Sequence, residues 1–136
     1  QKALGENSIV LANENIFRED FYLVANQDIQ YKNSDVLVRF LKSIKEADDF
    51  IAKNKDQSAV IVASRIGVPL DLVSSIIEDY NFGLVLDQNI MITLENSGQW
   101  AIRKKFVEET IVPNFLKFVN TKFLKEVNPD AVTIIK

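Results

Sequence analysis

Four acidic pairs are the residues of this chain best placed for proton chemistry: Glu19–Asp20, Asp48–Asp49, Glu78–Asp79 and Glu108–Glu109. Two carboxylates divide acid and base roles only where their environments push their pKa values apart. Neighbours in sequence do not face each other on a helix. Asp48–Asp49, Glu78–Asp79 and Glu108–Glu109 therefore read as solvated faces. Glu19–Asp20 differs, because it closes a polar loop, "ENIFRED", just before the apolar run "FYLVA". This is the one pair whose setting leaves a functional role open beside the solvated reading. Phe17 lies in the same loop with no apolar partner at a helical or strand interval, so it reads as a ligand contact rather than core.

The chain has no Cys and no His. Thiol nucleophiles, disulfides, Cys/His zinc sites and the imidazole base are excluded by composition. The 4 glycines are isolated, so no loop cradles a phosphate. No catalytic residue, metal or cofactor is expected. Lys and Arg number 16 against 19 Asp and Glu, a net charge of −3, and the basic residues are spread along the chain. This is not the basic footprint of a nucleic-acid binder. The charged stretch "KSIKEADDFIAKNK" fails as a membrane-surface helix, since Glu46, Asp48 and Asp49 offset its lysines. No apolar run approaches the ~20 residues that span a bilayer. With no signal peptide visible, the chain is expected to be cytosolic or already processed.

The elements that would hold these residues follow from apolar spacing. At 136 residues with 47% hydrophobic and 26% charged, one domain with a core is expected. "SIVLAN" and "FYLVA" are short β-rich runs and read as strands, the second buried on both faces. From about Asp35 to Lys53 the residues Leu37, Phe40, Leu41, Ile44, Ala47 and Ile51 recur at steps of three and four, marking a helix capped by Asn33 or Ser34. A second helix, about Asp56 to Ile66, turns Ala59, Val62, Ala63 and Ile66 inward and stops at Gly67, with Pro69 beyond. A third, "LDLVSSIIEDY", buries Leu72, Val73, Ile76, Ile77 and Tyr80. "LVL" is a short extended piece, after which Asp87 caps a helix carrying the only Met and the only Trp. "VPNFLKFV" and "TKFLKEV" read as two short helices, followed by a turn at Pro129. Phe40, Phe50, Phe106, Phe115, Phe118 and Phe123 occupy core-like positions.

In this order, "LVANQD", "NSDVLVRFLKSIKEADDFIAKNKDQSAVIVASRIGV", "LDLVSSIIEDYNFGLVLDQNIMITLENSGQWAIRKK", "VPNFLKFVNTKFLKEVNPDAVTII" resemble the C-terminal part of the substrate-binding proteins of ABC importers for nitrate, aliphatic sulfonates, taurine and thiamin-pyrimidine precursors. The shared features are five: an apolar strand ending in a charged turn, a long helix, a helix ending at Ile-Gly, a Leu-Asp-Gln helix with a Trp near its end, and the closing Pro-Asn-Phe-Leu and Pro-Asp-Ala-Val-Thr. The resemblance covers nearly all of the chain.

The resemblance implies a fold and a function. The fold class would be α/β: the mostly helical C-terminal portion of a two-lobed, periplasmic-binding-protein-like (type II) fold, with a few short strands. Residues 8–25 would be the segment returning between lobes and 33–136 the helical part of the first lobe. Trp100 would be a core anchor. The function would be solute capture for an ABC importer, extracytoplasmic, periplasmic or lipoprotein-anchored, and not enzymatic. Ligand contacts would map to Asn15, Phe17, Asp20 and Phe21, with Asp20 meeting an amine or hydroxyl and Phe17 or Phe21 stacking. The partners would be a small solute, whose site needs an N-terminal half, and an ABC permease; no nucleic acid is expected. A homodimer formed by pairing the "SIVLAN" and "FYLVA" strands would protect their edges. The alternative is an extracytoplasmic sensor or a helical interaction module on the same fold. Relatives that synthesise the thiamin pyrimidine depend on His, which this chain lacks.

Overall fold

A computed structural model describes residues 5–9 and 20–135. Its regular elements are helices: α1 (Gln27–Lys32), α2 (Ser34–Lys53), α3 (Lys55–Ile66), α4 (Leu70–Ile76), α5 (Gln88–Arg103) and α6 (Lys122–Val127), joined by short 3-10 turns at Ile77–Asp79, Phe115–Phe118 and Pro129–Ala131.

The Gly67 stop and the Asp87 cap act as the sequence indicates, and the expected side-chain cap of α2 at Asn33 or Ser34 is not made. Asn26 accepts at its side-chain oxygen from the Ile29 N–H and opens α1, a short helix the apolar spacing did not reveal. α2 starts at Asn33 without a side-chain cap bond. Gly67 ends α3 at φ +71°, where its N–H and that of Val68 both donate to the Ala63 carbonyl. Only glycine adopts this left-handed backbone at no steric cost. Asp87 accepts from Ile90 N–H at 3.2 Å and opens α5. α5 stops without glycine: Lys105 takes φ +57°, the Phe106 N–H reaches the Ala101 carbonyl, and the Lys105 N–H reaches that of Ile102. These two bonds define a Schellman stop with lysine at its left-handed position. The third expected helix is shorter than its pattern, passing into a 3-10 turn at Ile77.

Helices α3 and α4 pack together over Ala59, Ala63, Val73 and Ile77, with Val62 and Val68 at the edge. Small alanines on α3 let the two axes approach. A second contact joins α2 to α6, where Val38 and Phe123 are buried. α5 buries Ile90 and Met91 and packs on the Phe115–Phe118 turn through Gly98, which no side chain separates from Val112 and Phe115.

The expected α/β class is corrected here. Among the described residues there is no strand, only one isolated parallel bridge between Leu86 and Val132. Leu86 donates to the Ala131 carbonyl at 2.8 Å, and its own carbonyl accepts from Thr133 at 2.9 Å. Two strand-prone runs thus touch at one point without a ladder. "FYLVA" has no regular structure, with Phe21 80% and Val24 91% exposed. Of "SIVLAN", Ser8 and Ile9 are described and neither is in a strand; the rest lies outside the described residues. The physical reason is range. A helix satisfies its backbone within four residues, whereas a parallel strand needs a distant partner and cover on both faces.

Burial also departs from the expected pattern. On α2 the buried residue is Val38, while Phe40 and Ala47 of the anticipated inner face are exposed and Leu37, Leu41, Ile44 and Ile51 are half-buried. Of the six phenylalanines expected in the core, Phe123 is buried and Phe115 half-buried; Phe40, Phe50, Phe106 and Phe118 are exposed. Trp100, expected as a buried anchor, is 48% exposed and leans on Phe106 with ring centroids 5.0 Å apart.

Candidate functional site

The expected ligand contacts divide between described and undescribed residues. Asn15 and Phe17 lie outside the described residues. Asp20 is half-buried and Phe21 exposed, in the irregular segment that leads to α1. That segment ends beside a polar corner. Gln30 on α1 donates weakly to the Ala25 carbonyl at 3.4 Å, and its oxygen accepts from the Asn120 side-chain amide at 2.7 Å. Asn120 in turn accepts from the Lys122 N–H, which starts α6. One asparagine thereby ties the approach to α1 to the beginning of α6 across 90 residues of sequence.

Next to this corner, α2 and α6 leave a groove of about 300 Å³ lined by Ser34, Asp35, Val38, Arg39, Lys122, Phe123 and Glu126. Its floor is apolar, from Val38 and Phe123. Its rim carries two cations and two carboxylates. Arg39 pairs with Asp35 at 3.0 Å, one helical turn away, with both side chains largely exposed. Exposed pairs of this kind contribute about 0–1 kcal/mol and orient side chains more than they hold the fold. The Lys122 ammonium lies 5.6 Å from the Phe123 ring centroid. The volume is at the lower end for a small-molecule site. Chemically, the rim can pair with both ends of a small zwitterion or with a charged peptide segment. The sequence placed Phe123 in a core and gave Lys122, Glu126, Arg39 and Asn120 no role. Their meeting joins residues more than 80 positions apart, which helical spacing does not report.

A second hollow, of about 390 Å³, lies at the break between α2 and α3 and is lined by residues 52–57. It is formed by one turn of chain and its side chains. The Lys55–Glu78 ion pair fastens the start of α3 to the turn after α4.

The acidic pairs are placed as follows. Asp49 is on the surface, bound by Lys45 at 2.7 Å; that hydrogen bond draws its carboxyl below the usual value. Asp48 is half-buried, and the Leu84 backbone N–H nearby favours its charged form. Partial burial raises its carboxyl above the usual value, the Leu84 bond opposes the rise, and Asp49 adds to it. Glu78, Asp79, Glu108 and Glu109 are exposed, as solvated faces should be. Among the described residues no group of His, Cys, Asp and Glu is arranged to hold a metal ion. No buried side-chain nitrogen or oxygen there lacks a partner. No helix among them is long and apolar enough to cross a membrane.

The chain matches no family model, no curated protein and no solved structure in the comparisons made with each.

Proposed function

We propose that this chain is the helical portion of a solute-capture component of an ABC importer of the nitrate, sulfonate, taurine or pyrimidine-precursor type, acting by binding and docking rather than by catalysis. The observation that carries the reading is the order of the five sequence motifs along the chain, from "LVANQD" to "NPDAVT". Several of these motifs fall where the backbone needs them. The Ile-Gly pair closes α3, Asp87 of Leu-Asp-Gln opens α5, and Asn114 of Pro-Asn-Phe-Leu accepts from the Leu116 N–H to start its turn. The reading does not rest on a sheet, since none is formed among the described residues.

In this reading the solute is held between the chain and a second surface, and closure of the two around it signals to the permease. Asp20, Phe21 and the rim of the α2–α6 groove are the contacts contributed from this side. Calorimetric titration of the full product of the parent gene with nitrate, taurine, short alkanesulfonates and pyrimidine precursors tests it. Saturable binding of one class is the expected result; silence across the whole panel counts against the reading. The 136 residues alone are expected to give no thermal shift with the same solutes, because one rim does not enclose a ligand. A ligand at 100 times its Kd would add about 2.7 kcal/mol of stability, which a thermal shift detects readily.

A second reading, a helical interaction module, is favoured by one observation: Phe40 and Ala47 of the α2 stripe, with Val36 and Phe50 beside them, are exposed. Its extracytoplasmic-sensor form would carry an output domain elsewhere in the same gene product, and the parent gene sequence separates the two.

A further inference from the structure

α2 is docked on a side that overlaps its apolar stripe: Val38 is buried, α6 packs on the helix, and Leu37, Leu41, Ile44 and Ile51 are half-buried. The side left bare carries Val36, Phe40, Ser43, Ala47 and Phe50, spaced four, three, four and three. All five are exposed, Val36 at 45%, Phe40 at 50% and Phe50 at 39%. This is the 3.5-residue repeat of a helix seam that packs knobs into the holes of another helix. Half-buried Leu37, Ile44 and Ile51 border it on one side, and Arg39, Glu46 and Lys53 on the other.

We infer that the occupant of this seam is the α2 helix of a second copy of the chain, running antiparallel about a two-fold between Leu41 and Lys42. Size and charge select that arrangement. In this register Phe40 faces Ser43 of the second copy and Val36 faces Ala47, a large residue against a small one in these two layers, as dense packing requires, while Phe50 reaches the level of Asn33 at the start of the second α2. Arg39 then stands two residues, ~3 Å along the axis, from Glu46 of the second copy, and the symmetry makes the pair twice. Shifting by one heptad stacks Phe40 on Phe50 and leaves Ser43 against Ala47. It also sets Arg39 beside Lys53 and Glu46 beside its own symmetry mate, which are repulsive contacts. A parallel pairing puts Phe40 on Phe40 and Ser43 on Ser43, with Arg39 and Glu46 facing Ile44 and Ile51 and no opposite charge.

Two-fold pairing is the commonest oligomer symmetry. The strands expected to mediate a dimer are not formed among the described residues, so the helix seam replaces them. The inference shares Arg39 with the groove rim of the solute-capture reading, and the oligomeric state tests it without any solute.

Size-exclusion chromatography with light scattering, at tens of micromolar chain and low salt, is the test. The expected species has twice the 15.5 kDa mass of the chain. Arg39→Glu places two like-charge pairs in the seam and is expected to weaken dimerisation about tenfold. It also sets Glu beside Asp35 within one chain. Adding Glu46→Arg leaves that intrachain clash in place but restores both interchain pairs, so R39E/E46R is expected to recover wild-type affinity to within about threefold. Phe40→Glu is expected to give a monomer with unchanged far-ultraviolet dichroism. A wild-type chain that stays monomeric overturns the inference and assigns the seam to another occupant. A dimer that R39E does not weaken, or that E46R does not rescue, overturns the antiparallel register.

Discussion

Substituting Gly98 by alanine sets two terms of known size against each other. Gly98 lies inside α5, where glycine costs about 1 kcal/mol relative to alanine. A Cβ at this position meets Val112 Cγ1 at 3.2 Å and the edge of the Phe115 ring at 3.4 and 3.5 Å. The first contact is tight by a few tenths of an ångström; the other two are near ordinary van der Waals distance. Both neighbours are half-buried side chains, not backbone, so they have solvent on one side into which to move. The strain is therefore smaller than the ~0.5–1.5 kcal/mol of a side chain forced 30° off its rotamer. Gly98→Ala is expected to stabilise the chain by about 0.5 kcal/mol. Gly98→Leu must fit three more carbons into the same gap. Overpacking of that kind costs about 1–3 kcal/mol, which outweighs the helix gain. Urea unfolding followed by far-ultraviolet dichroism measures both, with the m-value as a check on the unfolded state. A loss above about 1 kcal/mol for the alanine variant would show that Val112 and Phe115 cannot yield. A leucine variant as stable as wild type would show that α5 does not pack on the Phe115–Phe118 turn at all.

Three further outcomes follow from the geometry. Lys105→Gly relieves a left-handed backbone at the end of α5 and is expected to stabilise the chain by about 1 kcal/mol; a destabilised variant would show that the helix ends elsewhere. Trp100→Ala should cost only about 1–2 kcal/mol, half the figure for a fully buried aromatic, and native Trp fluorescence should be red-shifted and quenched by iodide; a blue-shifted, unquenched indole refutes the exposed placement. Asp48 and Asp49 link stability to pH with opposite signs. Burial raises the Asp48 carboxyl above 3.8, so its charge destabilises the fold above that raised value, and the penalty disappears as pH falls through it. Asp49 is lowered by Lys45, so its contribution is present above 3.8 and is lost as pH falls through the depressed value. Asp48→Asn, which keeps an oxygen for the Leu84 N–H, should melt higher than wild type near neutral pH and equal to it once Asp48 is protonated; a variant that melts lower at both refutes the burial argument.

The sequence by itself determined the longer helices, α2, α3 and α5, and several of their ends; it did not mark α1, and the helix expected at "VPNFLKFV" is a 3-10 turn. α2 and α3 occur within one residue of where their apolar spacing places them, and Gly67 and Asp87 act as stop and cap. These signals are legible because a helix pairs its backbone within four residues and a cap within three. The stop at Lys105 was not legible, since a lysine carries no mark of the left-handed backbone that accompanies the Phe106 N–H bond to the Ala101 carbonyl. Tertiary structure also decided which face of each helix is covered. The spacing of α2 marks an apolar stripe but not its occupant, and α6 takes the Val38 side instead. It decided that "FYLVA" forms no strand, because strand propensity is a statement about a neighbour that the sequence run does not contain. The corner of Gln30, Asn120 and Lys122 was beyond reach for the same reason: hydrogen bonds across 90 residues depend on how the helices meet, and no local pattern encodes that.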